Sequence, residues 1–217
     1  TGLYNLNPSK YGQSELFRTN REPYGRDQRL NQFFGITFDW RLPNGARLGG
    51  GFDTGRSLDD RCFVVDSPQD MLNCRVTTPF SAQTQFKANG VFPLPGDVNF
   101  SATYQNLSGE DVVGNFSVSN NDIKGSLGRN LSGGARSATI PLFAPQTMFL
   151  DRIDRLDIRI SKVFEVRNYR IQINFDAYNA MNADHIRSVA QFYGSRFLEP
   201  NTIIDARLFE LGGQITF

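Results

Sequence analysis

The sequence predicts an all-β fold: an antiparallel transmembrane β-barrel segment of about seven long strands that is part of a larger barrel. Three observations lead to this prediction. Seven stretches of ten or more residues alternate between apolar and polar side chains, whereas strands of globular proteins average about five or six residues. Short turns and long polar loops connect these stretches in strict alternation. Charged residues fall almost entirely on one of the two alternating faces.

The composition excludes several classes of protein. The 217 residues include 23 Lys and Arg against 22 Asp and Glu, so there is no excess of positive charge to bind nucleic acid. Purely apolar runs reach only four or five residues, so we expect neither a transmembrane helix nor a signal peptide. One His and two Cys leave little from which to build a metal or nucleophilic site. We therefore expect no enzyme and no cofactor.

The first four predicted strands form two hairpins. Leu42-Pro43-Asn44-Gly45 has the composition of a turn, because proline fixes φ and Asn-Gly accepts positive φ. Pro93-Leu94-Pro95-Gly96-Asp97 predicts a second turn. The alternating stretches on either side of these turns are 30–41, 46–55, 80–92 and 98–107.

Three further strands complete the set. The stretches 155–164 and 169–178 flank a turn at 165–168, and the last strand covers 207–217. Polar loops rich in Gly, Asn and Asp join the hairpins to one another, at 56–79, 108–154 and 179–206.

Short connections on one side and long ones on the other are typical of outer-membrane barrels, which have short periplasmic turns and long external loops. A strand of about ten residues also spans a bilayer core when tilted. The sequence thus predicts residues 1–29 as an external loop and 30–217 as strands and loops in the cell outer membrane of a Gram-negative-type bacterium. The final strand then ends at Phe217 in the periplasm.

The two faces of the predicted strands differ in charge. One face carries two charged residues, Lys162 and Arg207, and the other carries eleven. We expect the charged face to line a wet or plug-filled lumen, because a cation on the lipid face at the bilayer midplane costs about 2–4 kcal/mol. The predicted lumen-facing polar residues are Asp39, Arg47, Asp53, Lys87, Arg155, Asp157, Arg159, Arg170, Asp176 and Glu210.

The opposite face is predicted to contact the lipid bilayer. Aromatic residues lie near the turn ends of the strands, where barrels carry an aromatic girdle: Phe38, Trp40, Phe92, Phe164 and Tyr169. Four residues of the last strand are predicted to form a C-terminal signal for the barrel assembly machinery: Phe209, Leu211, Ile215 and Phe217. The predicted lipid-facing residues are Phe34, Ile36, Phe52, Phe86, Phe100, Ile158, Ile160, Ile171, Ile173, Leu211 and Ile215.

Cys62 and Cys74 lie in one polar stretch of the first long loop. A disulfide that closes this loop is favoured over a metal pair or a reactive thiol. On the loop-entropy model, such a bond removes about 3 kcal/mol of unfolded-chain entropy. It also indicates an oxidising compartment.

Several stretches resemble a known family. The most specific is 151–182, which reads DRIDRLDIRISKVFEVRNYRIQINFDAYNAMN. The others are RLGGGFDTGRSLDD (47–60), TTPF (77–80) and LGRNLSGG (127–134). Together they resemble the C-terminal barrel part of a TonB-dependent outer-membrane receptor, of the Oar-like type with an N-terminal carboxypeptidase-regulatory-like domain. The resemblance covers most of residues 25–217.

This resemblance implies a transporter or receptor for energised uptake of a nutrient. Members of the family have a plug domain and about 22 strands, and they contact the TonB complex through the plug. The present chain contains neither the plug nor a full set of strands, and an open sheet in lipid leaves costly unpaired edges. We therefore expect the missing N-terminal strands and plug to come from the same or another chain.

Other interpretations of the acidic residues and of the function are less favoured. Asp157 and Asp176 form an acid pair, but a ladder with neighbouring arginines is favoured over acid–base chemistry. A Ca²⁺ site is disfavoured because the spacing of the candidate acids fits no loop template. The alternative function is a soluble β-sandwich that acts as a surface adhesin or glycan-binding module. The acids considered for calcium are Asp53, Asp59, Asp60, Asp66 and Asp70.

Overall fold

The computed structural model describes residues 4–16, 18–63 and 68–217. Strands dominate this part of the chain, and none of its helices is long and apolar enough to cross a membrane. The two α-helices are α1 (Phe80–Gln83) and α2 (Asn120–Leu127). Short 3-10 helices are found at Pro8–Lys10, Glu22–Tyr24, Pro68–Met71 and Ser132–Gly134. The strands are β1 (Gln28–Arg41), β2 (Arg47–Asp60), β3 (Arg75–Thr78), β4 (Gln85–Leu94), β5 (Val98–Leu107), β6 (Asn115–Ser119), β7 (Ser137–Pro141), β8 (Ile153–Val166), β9 (Tyr169–Tyr178), β10 (Ile186–Val189), β11 (Pro200–Ile203) and β12 (Leu208–Thr216).

One antiparallel sheet contains all seven predicted strands. Its order is β1-β2-β4-β5-β8-β9-β12, so each strand pairs with the next one along the chain. The short β3 pairs with residues 57–60 of β2, past the segment 47–53 of β2 that pairs with β4. Within the described residues the sheet is open, with β1 and β12 at its edges. The all-β, antiparallel prediction is confirmed.

Three tight turns lie along one rim of this sheet, which we call the turn rim. In the first, Gly45 has φ 83° and donates its N–H to the carbonyl of Leu42 at 3.0 Å. Gly96 (φ 77°) and Asp97 (φ 56°) form the second, and Arg167 (φ 57°) is in the third. A left-handed residue matches the turn of the chain to the twist of the flanking strands. The opposite rim, the loop rim, carries the long connections.

The prediction of a strand that starts at Phe80 was wrong, because Phe80–Gln83 is the short helix α1. Pro79 precedes it and lacks the N–H that would continue the ladder of β3. The helical turn is closed by the Thr84 hydroxyl, which donates to the Phe80 carbonyl at 2.7 Å. The strand therefore begins only at Gln85.

Strand lengths also differ from the prediction. The predicted loop residues 56–60 belong to β2, which pairs with β1 up to Gln28↔Asp60. β4 and β8 each run two residues into their predicted turns, to Leu94 and Val166. Alternation of side chains did not mark these ends, because turn-forming residues such as Pro93 are tolerated at strand ends.

The long connections have structure of their own. Residues 108–152 contain a hairpin, β6 with β7, and between them the helix α2. In this hairpin Ser117 pairs with Thr139 and Val118 pairs with Ala138. Residues 179–207 contain a second small hairpin, β10 with β11, which the sequence did not predict. We call residues 108–152 and 179–207 together the loop cap.

Buried apolar residues are concentrated in the loop cap. Of the six buried hydrophobic residues in the described chain, four lie there, and the other two, Ala46 and Ala177, belong to the main sheet and its turns. No large side chain among the described residues is fully buried. The main sheet therefore has no hydrophobic core on either side within the described chain. The four buried residues of the loop cap are Val112, Val118, Ile123 and Val189.

Candidate functional site

The register of the main sheet sorts its side chains onto two faces. In antiparallel strands, directly opposed residues point to the same side. One row of opposed residues crosses all seven strands, and it carries five charged side chains. The side of the sheet to which this row belongs is the polar face, and the other side is the apolar face. The row runs Arg41, Arg47, Val91, Ser101, Arg159, Asp176 and Glu210.

The ten residues predicted as one polar set share the polar face by register. Asp39 opposes Gly49, Asp53 opposes Gly35, and Lys87 opposes Gly51. Arg155 and Asp157 oppose Gln105 and Thr103 of β5. The structure spreads the set over the whole face, and its closest charged contacts lie between β8 and β9. The complete set is Asp39, Arg47, Asp53, Lys87, Arg155, Asp157, Arg159, Arg170, Asp176 and Glu210.

Asp157 and Asp176, the acid pair of the sequence analysis, each form an ion pair with an arginine. Asp176, which is 4% exposed, accepts hydrogen bonds from Nε and Nη2 of Arg159 at 2.5 and 3.1 Å. Asp157 accepts one from Nε of Arg155 at 3.0 Å. The Arg159–Asp176 contact is bidentate and joins β8 to β9, whereas the Arg155–Asp157 contact lies within β8. The arrangement is a charge ladder, as the sequence predicted.

The apolar face carries exposed large side chains on both edge strands and on inner strands. Phe34 of β1 and Leu211 of β12 are 58% and 76% exposed, and Ile160 of β8 is 45% exposed. An apolar patch of this extent on a folded protein marks a contact with a partner or a membrane. No described segment of the chain covers it, and none forms a second sheet packed against it.

The residues near the chain end follow the same pattern. Phe209 stacks on Phe175 with ring centroids 5.7 Å apart, and the Arg207 guanidinium lies 5.5 Å from the Phe209 ring. Ile215 and Phe217 are 62% and 96% exposed. With Leu211, these residues of the predicted assembly signal form an exposed apolar strip along the edge strand β12 and the residue that follows it.

Glycines in β2 make room for aromatic rings. A Cβ on Gly50 would lie 2.9 Å from the Phe38 ring on the apolar face. A Cβ on Gly55 would lie 2.2 Å from the Phe33 ring on the polar face. Both glycines directly oppose the residues whose rings cover them, an arrangement in which an aromatic side chain shields a glycine backbone. Close packing therefore explains these two glycines of the RLGGGFDTGRSLDD segment.

Near the loop rim the apolar face becomes polar. Asp154 accepts hydrogen bonds from the Tyr104 hydroxyl and from Nδ2 of Asn106, both at 2.6 Å. Arg152 donates from Nε to Oδ1 of Asn106 at 2.8 Å and from Nη2 to the carbonyl of Thr84 at 2.7 Å. This network ties α1 to β5 and β8 and ends the apolar zone of the face.

The disulfide of the first long loop is confirmed: Cys62 and Cys74 are bonded, with Cα atoms 4.9 Å apart. Asp60, only 2% exposed, lies beside it and faces Arg26 and Arg75 at 3.9 and 3.8 Å.

Two of the candidate calcium ligands have cationic partners instead, since Asp59 also binds Arg29 and Arg61. Asp66 lies outside the described residues, and the side chain of Asp70 is not among those described. Within the described chain, no group of three or more His, Cys, Asp or Glu side chains has the geometry of a metal site.

Two of the family-like stretches anchor loops. Arg129, in LGRNLSGG, donates to Oδ1 of Asn5 at 2.9 Å and to the carbonyls of Asn5 and Leu6 at 3.0 and 2.9 Å. Asn179, in DAYNAMN, is 3% exposed with φ 47° and donates from Nδ2 to the carbonyls of Ala183 and Asp205. These motifs fix the N-terminal segment and the last loop, a role that the sequence analysis had not predicted.

The sequence also missed helix α2. Its capping box was legible in Ser119–Asp122, because a Ser followed three residues later by an acid is a helix-start signal. The Ser119 hydroxyl and backbone N–H each donate to Oδ2 of Asp122 at 2.7 Å. These hydrogen bonds, led by the one from the hydroxyl, lower the pKa of Asp122. Gly128 ends the helix in the left-handed conformation, with φ 74°, which explains why a glycine lies at this position.

Comparison with known proteins does not assign the chain to a family: no protein-family model and no curated protein matches it.

Proposed function

We propose that the chain is a segment of an outer-membrane β-barrel belonging to a TonB-dependent transporter or receptor. One observation carries the proposal: a single meander of seven long strands has an uncovered apolar face on one side and a charge ladder on the other. Lipid accommodates the first face, and a wet or plug-filled lumen accommodates the second.

The dimensions of the apolar face support a bilayer. Along β8 it runs from Leu156 to Val166, which is about 33 Å along the strand and about 25 Å of membrane depth at a tilt of about 40°. Lys162 lies in this stretch near the turn rim, where its ammonium donates to the Gly96 carbonyl and lies 5.4 Å from the Phe164 ring. A lysine that reaches the interface in this way is tolerated on a lipid-facing surface.

The open edges indicate what the segment requires. In lipid, each unpaired backbone group of β1 and β12 costs several kcal/mol, so further strands must pair with both edges. In the proposal these strands, together with the plug domain, belong to the same or another chain. The plug contacts the TonB complex, and the barrel assembly machinery recognises the apolar strip of β12.

The orientation follows from the two rims. Short turns belong on the periplasmic side and long loops outside, which puts the loop cap and the disulfide at the cell surface. A disulfide is stable in that oxidising environment. The receptor then takes up a nutrient through the lumen with energy supplied by TonB, as the resemblance of residues 151–182 implies.

Membrane extraction and surface proteolysis test the proposal. The intact protein should stay with sedimented membranes in alkaline carbonate and be released by detergent. External protease on whole cells should cleave the loops but not the turn residues 42–45 or 165–168. When it is solubilised together with the plug domain, the protein should also be retained on the immobilised periplasmic domain of TonB. Release of the intact protein by salt alone would contradict the membrane assignment.

The alternative, a soluble β-sandwich adhesin or glycan-binding module, has one feature in its favour. The exposed rings of Phe192 and Tyr193, at 57% and 62%, lie in the loop cap as a surface on which a sugar ring could stack. A sandwich, however, buries its apolar face against a second sheet, and the described chain provides none. Salt release in the extraction experiment would favour this alternative.

A further inference from the structure

A cleft of about 770 Å³ opens on the polar face at the loop rim. Strands β1, β2 and β3 form its floor. Arg61, Phe63, Asn73 and Cys74 beside the disulfide line one side, and Pro145 and Gln146 of the loop cap line another. Gln146 is held in place by Asp111, whose Oδ2 accepts its side-chain N–H at 2.9 Å. The cleft therefore brings together three segments that are distant in sequence.

Two arginines share one carboxylate in this cleft. Asp59 accepts a hydrogen bond from Nη2 of Arg29 at 2.9 Å and two from Arg61, from Nε at 2.9 Å and from Nη2 at 3.2 Å. The three side chains carry a net charge of +1. A guanidinium has five N–H donors, so both arginines keep donors beyond those that bind Asp59. The side chains of Arg29 and Arg61 are 62% and 59% exposed, which leaves these donors accessible.

The remaining lining limits what can occupy the cleft. Asn31, Ser57 and Thr78 add neutral polar groups along the floor. Phe63, Val76 and Pro145 add apolar surface beside the arginines. A small inorganic anion would leave this apolar surface in water, whereas an organic acid with an apolar side group would cover it.

We propose that the cleft binds a small organic carboxylate with an apolar side group, held between Arg29 and Arg61. Arginine suits this ligand because its planar fork matches a carboxylate with two parallel hydrogen bonds. Asp59 orients both guanidinium groups before the ligand arrives, which lowers the entropy lost on binding. The biological meaning rests on the proposed function, since a site at the outer mouth of the polar face is where a receptor would capture its nutrient.

Calorimetric titration of the intact, detergent-solubilised protein tests this inference with a matched pair of probes. N-acetyl-leucine carries the carboxylate and the apolar group, and N-acetyl-leucine amide differs only in lacking the charge. The acid should bind and the amide should not. The double variant Arg29→Gln, Arg61→Gln should weaken binding of the acid by about tenfold or more, the loss expected for charged hydrogen bonds. Arg29→Lys with Arg61→Lys should also weaken it, because the planar fork is lost.

Arg75→Gln is the control, because it removes a charge from the same region without touching the cleft lining. It should leave the affinity for the acid unchanged. Equal binding of acid and amide, no binding of either, or equal competition by inorganic phosphate would overturn the inference. Formation of the Cys62–Cys74 disulfide is checked first in every variant. Membrane retention is measured separately, so loss of the cleft proposal and loss of the membrane proposal give different results.

Discussion

The main sheet and the loop cap follow opposite rules of packing. The sheet contains eight of the twelve strands in the described chain, yet it leaves Phe34, Ile36 and Leu211 more than half exposed. The loop cap has only short strands and one helix, yet it buries Val118 and Ile123 to 4% and 6% exposure. The larger and more regular unit, the main sheet, therefore buries fewer apolar side chains than the loop cap does.

The difference shows which part of the chain has a small core of its own. The loop cap buries four apolar side chains, as a water-exposed unit does, although rings such as Phe192 and Tyr193 stay exposed on its surface. In the main sheet, the five long strands between the two edge strands have a hydrogen-bonded neighbour on each side, but the apolar side chains stay uncovered. A structure of this kind is complete only in surroundings that cover one face and both edges, which is the basis of the membrane proposal.

The largest effect on stability is expected when an arginine is placed on each face of the main sheet in turn. Ile36 and Thr37 are adjacent in β1 and exposed on opposite faces. Ile36→Arg should destabilise the membrane-inserted protein by about 2–4 kcal/mol, because the cation enters lipid near the midplane. Thr37→Arg, the control, should cost less than about 1 kcal/mol, because the cation stays on the polar face. Denaturant unfolding in phospholipid vesicles measures both, and equal losses would remove the distinction between the faces.

Removal of the disulfide tests whether the first long loop and the main sheet are stabilised independently. The bond closes a loop with a sequence separation of 12 residues. Cys62→Ser with Cys74→Ser should lower the stability of that loop by about 3 kcal/mol on the entropy model. Hydrogen exchange should accelerate at Arg75–Thr78 and stay unchanged at Ile158–Ile160. Faster exchange across the whole sheet would show that the loop and the sheet are not independent.

A pair of neighbouring glycines tests how the N-terminal segment is held. A Cβ on Gly133 (φ 68°) would lie 2.1 Å from the Tyr11 ring, whereas one on Gly134 (φ 72°) meets nothing within 4 Å. Either alanine should cost about 1–2 kcal/mol in backbone strain. Only Gly133→Ala should also release Tyr11, which limited proteolysis around residues 10–14 detects. Identical cleavage of the two variants would mean that Tyr11 is not anchored there.

The smallest effect is expected at the capping box of α2. The pKa of Asp122 is lowered by hydrogen bonds from the Ser119 hydroxyl and N–H, so its charged form stabilises the folded helix. This contribution is present above the ordinary pKa of 3.8 and is lost as pH falls through the lowered value. The protection factors of the α2 amides, which compare the measured exchange rate with the intrinsic rate at each pH, should therefore fall in acid, and Asp122→Asn should abolish that fall. An unchanged acid profile in Asp122→Asn would exclude Asp122 as the cause.

Much of the sheet could be predicted from the sequence because alternation with a period of two is a local signal. It identified all seven strands and the composition of both faces, and loop polarity identified the disulfide loop. The short helix at Phe80–Gln83 was missed because the alternating pattern of the following strand already begins at Phe80. Helix α2 was missed although Ser119 and Asp122 carried its signal.

The rest depended on contacts between distant residues. The anchoring of Asn5 by Arg129 and the sharing of Asp59 by Arg29 and Arg61 bring together segments far apart in sequence or across strands. Alternation carries no information on such pairs. For the same reason the cleft at the loop rim was not predicted, whereas the polar face below it was.

Trp40 gives the most direct measurement of the central claim, that the apolar face contacts lipid. It is the only tryptophan of the sequence, it lies on the apolar face next to the turn rim, and it is 66% exposed. In vesicles, its fluorescence should be quenched strongly by lipids brominated near the headgroup, less by lipids brominated at the chain ends, and little by aqueous iodide, because tryptophan belongs to the interfacial belt. Strong quenching by iodide, with none by either brominated lipid, would contradict the account.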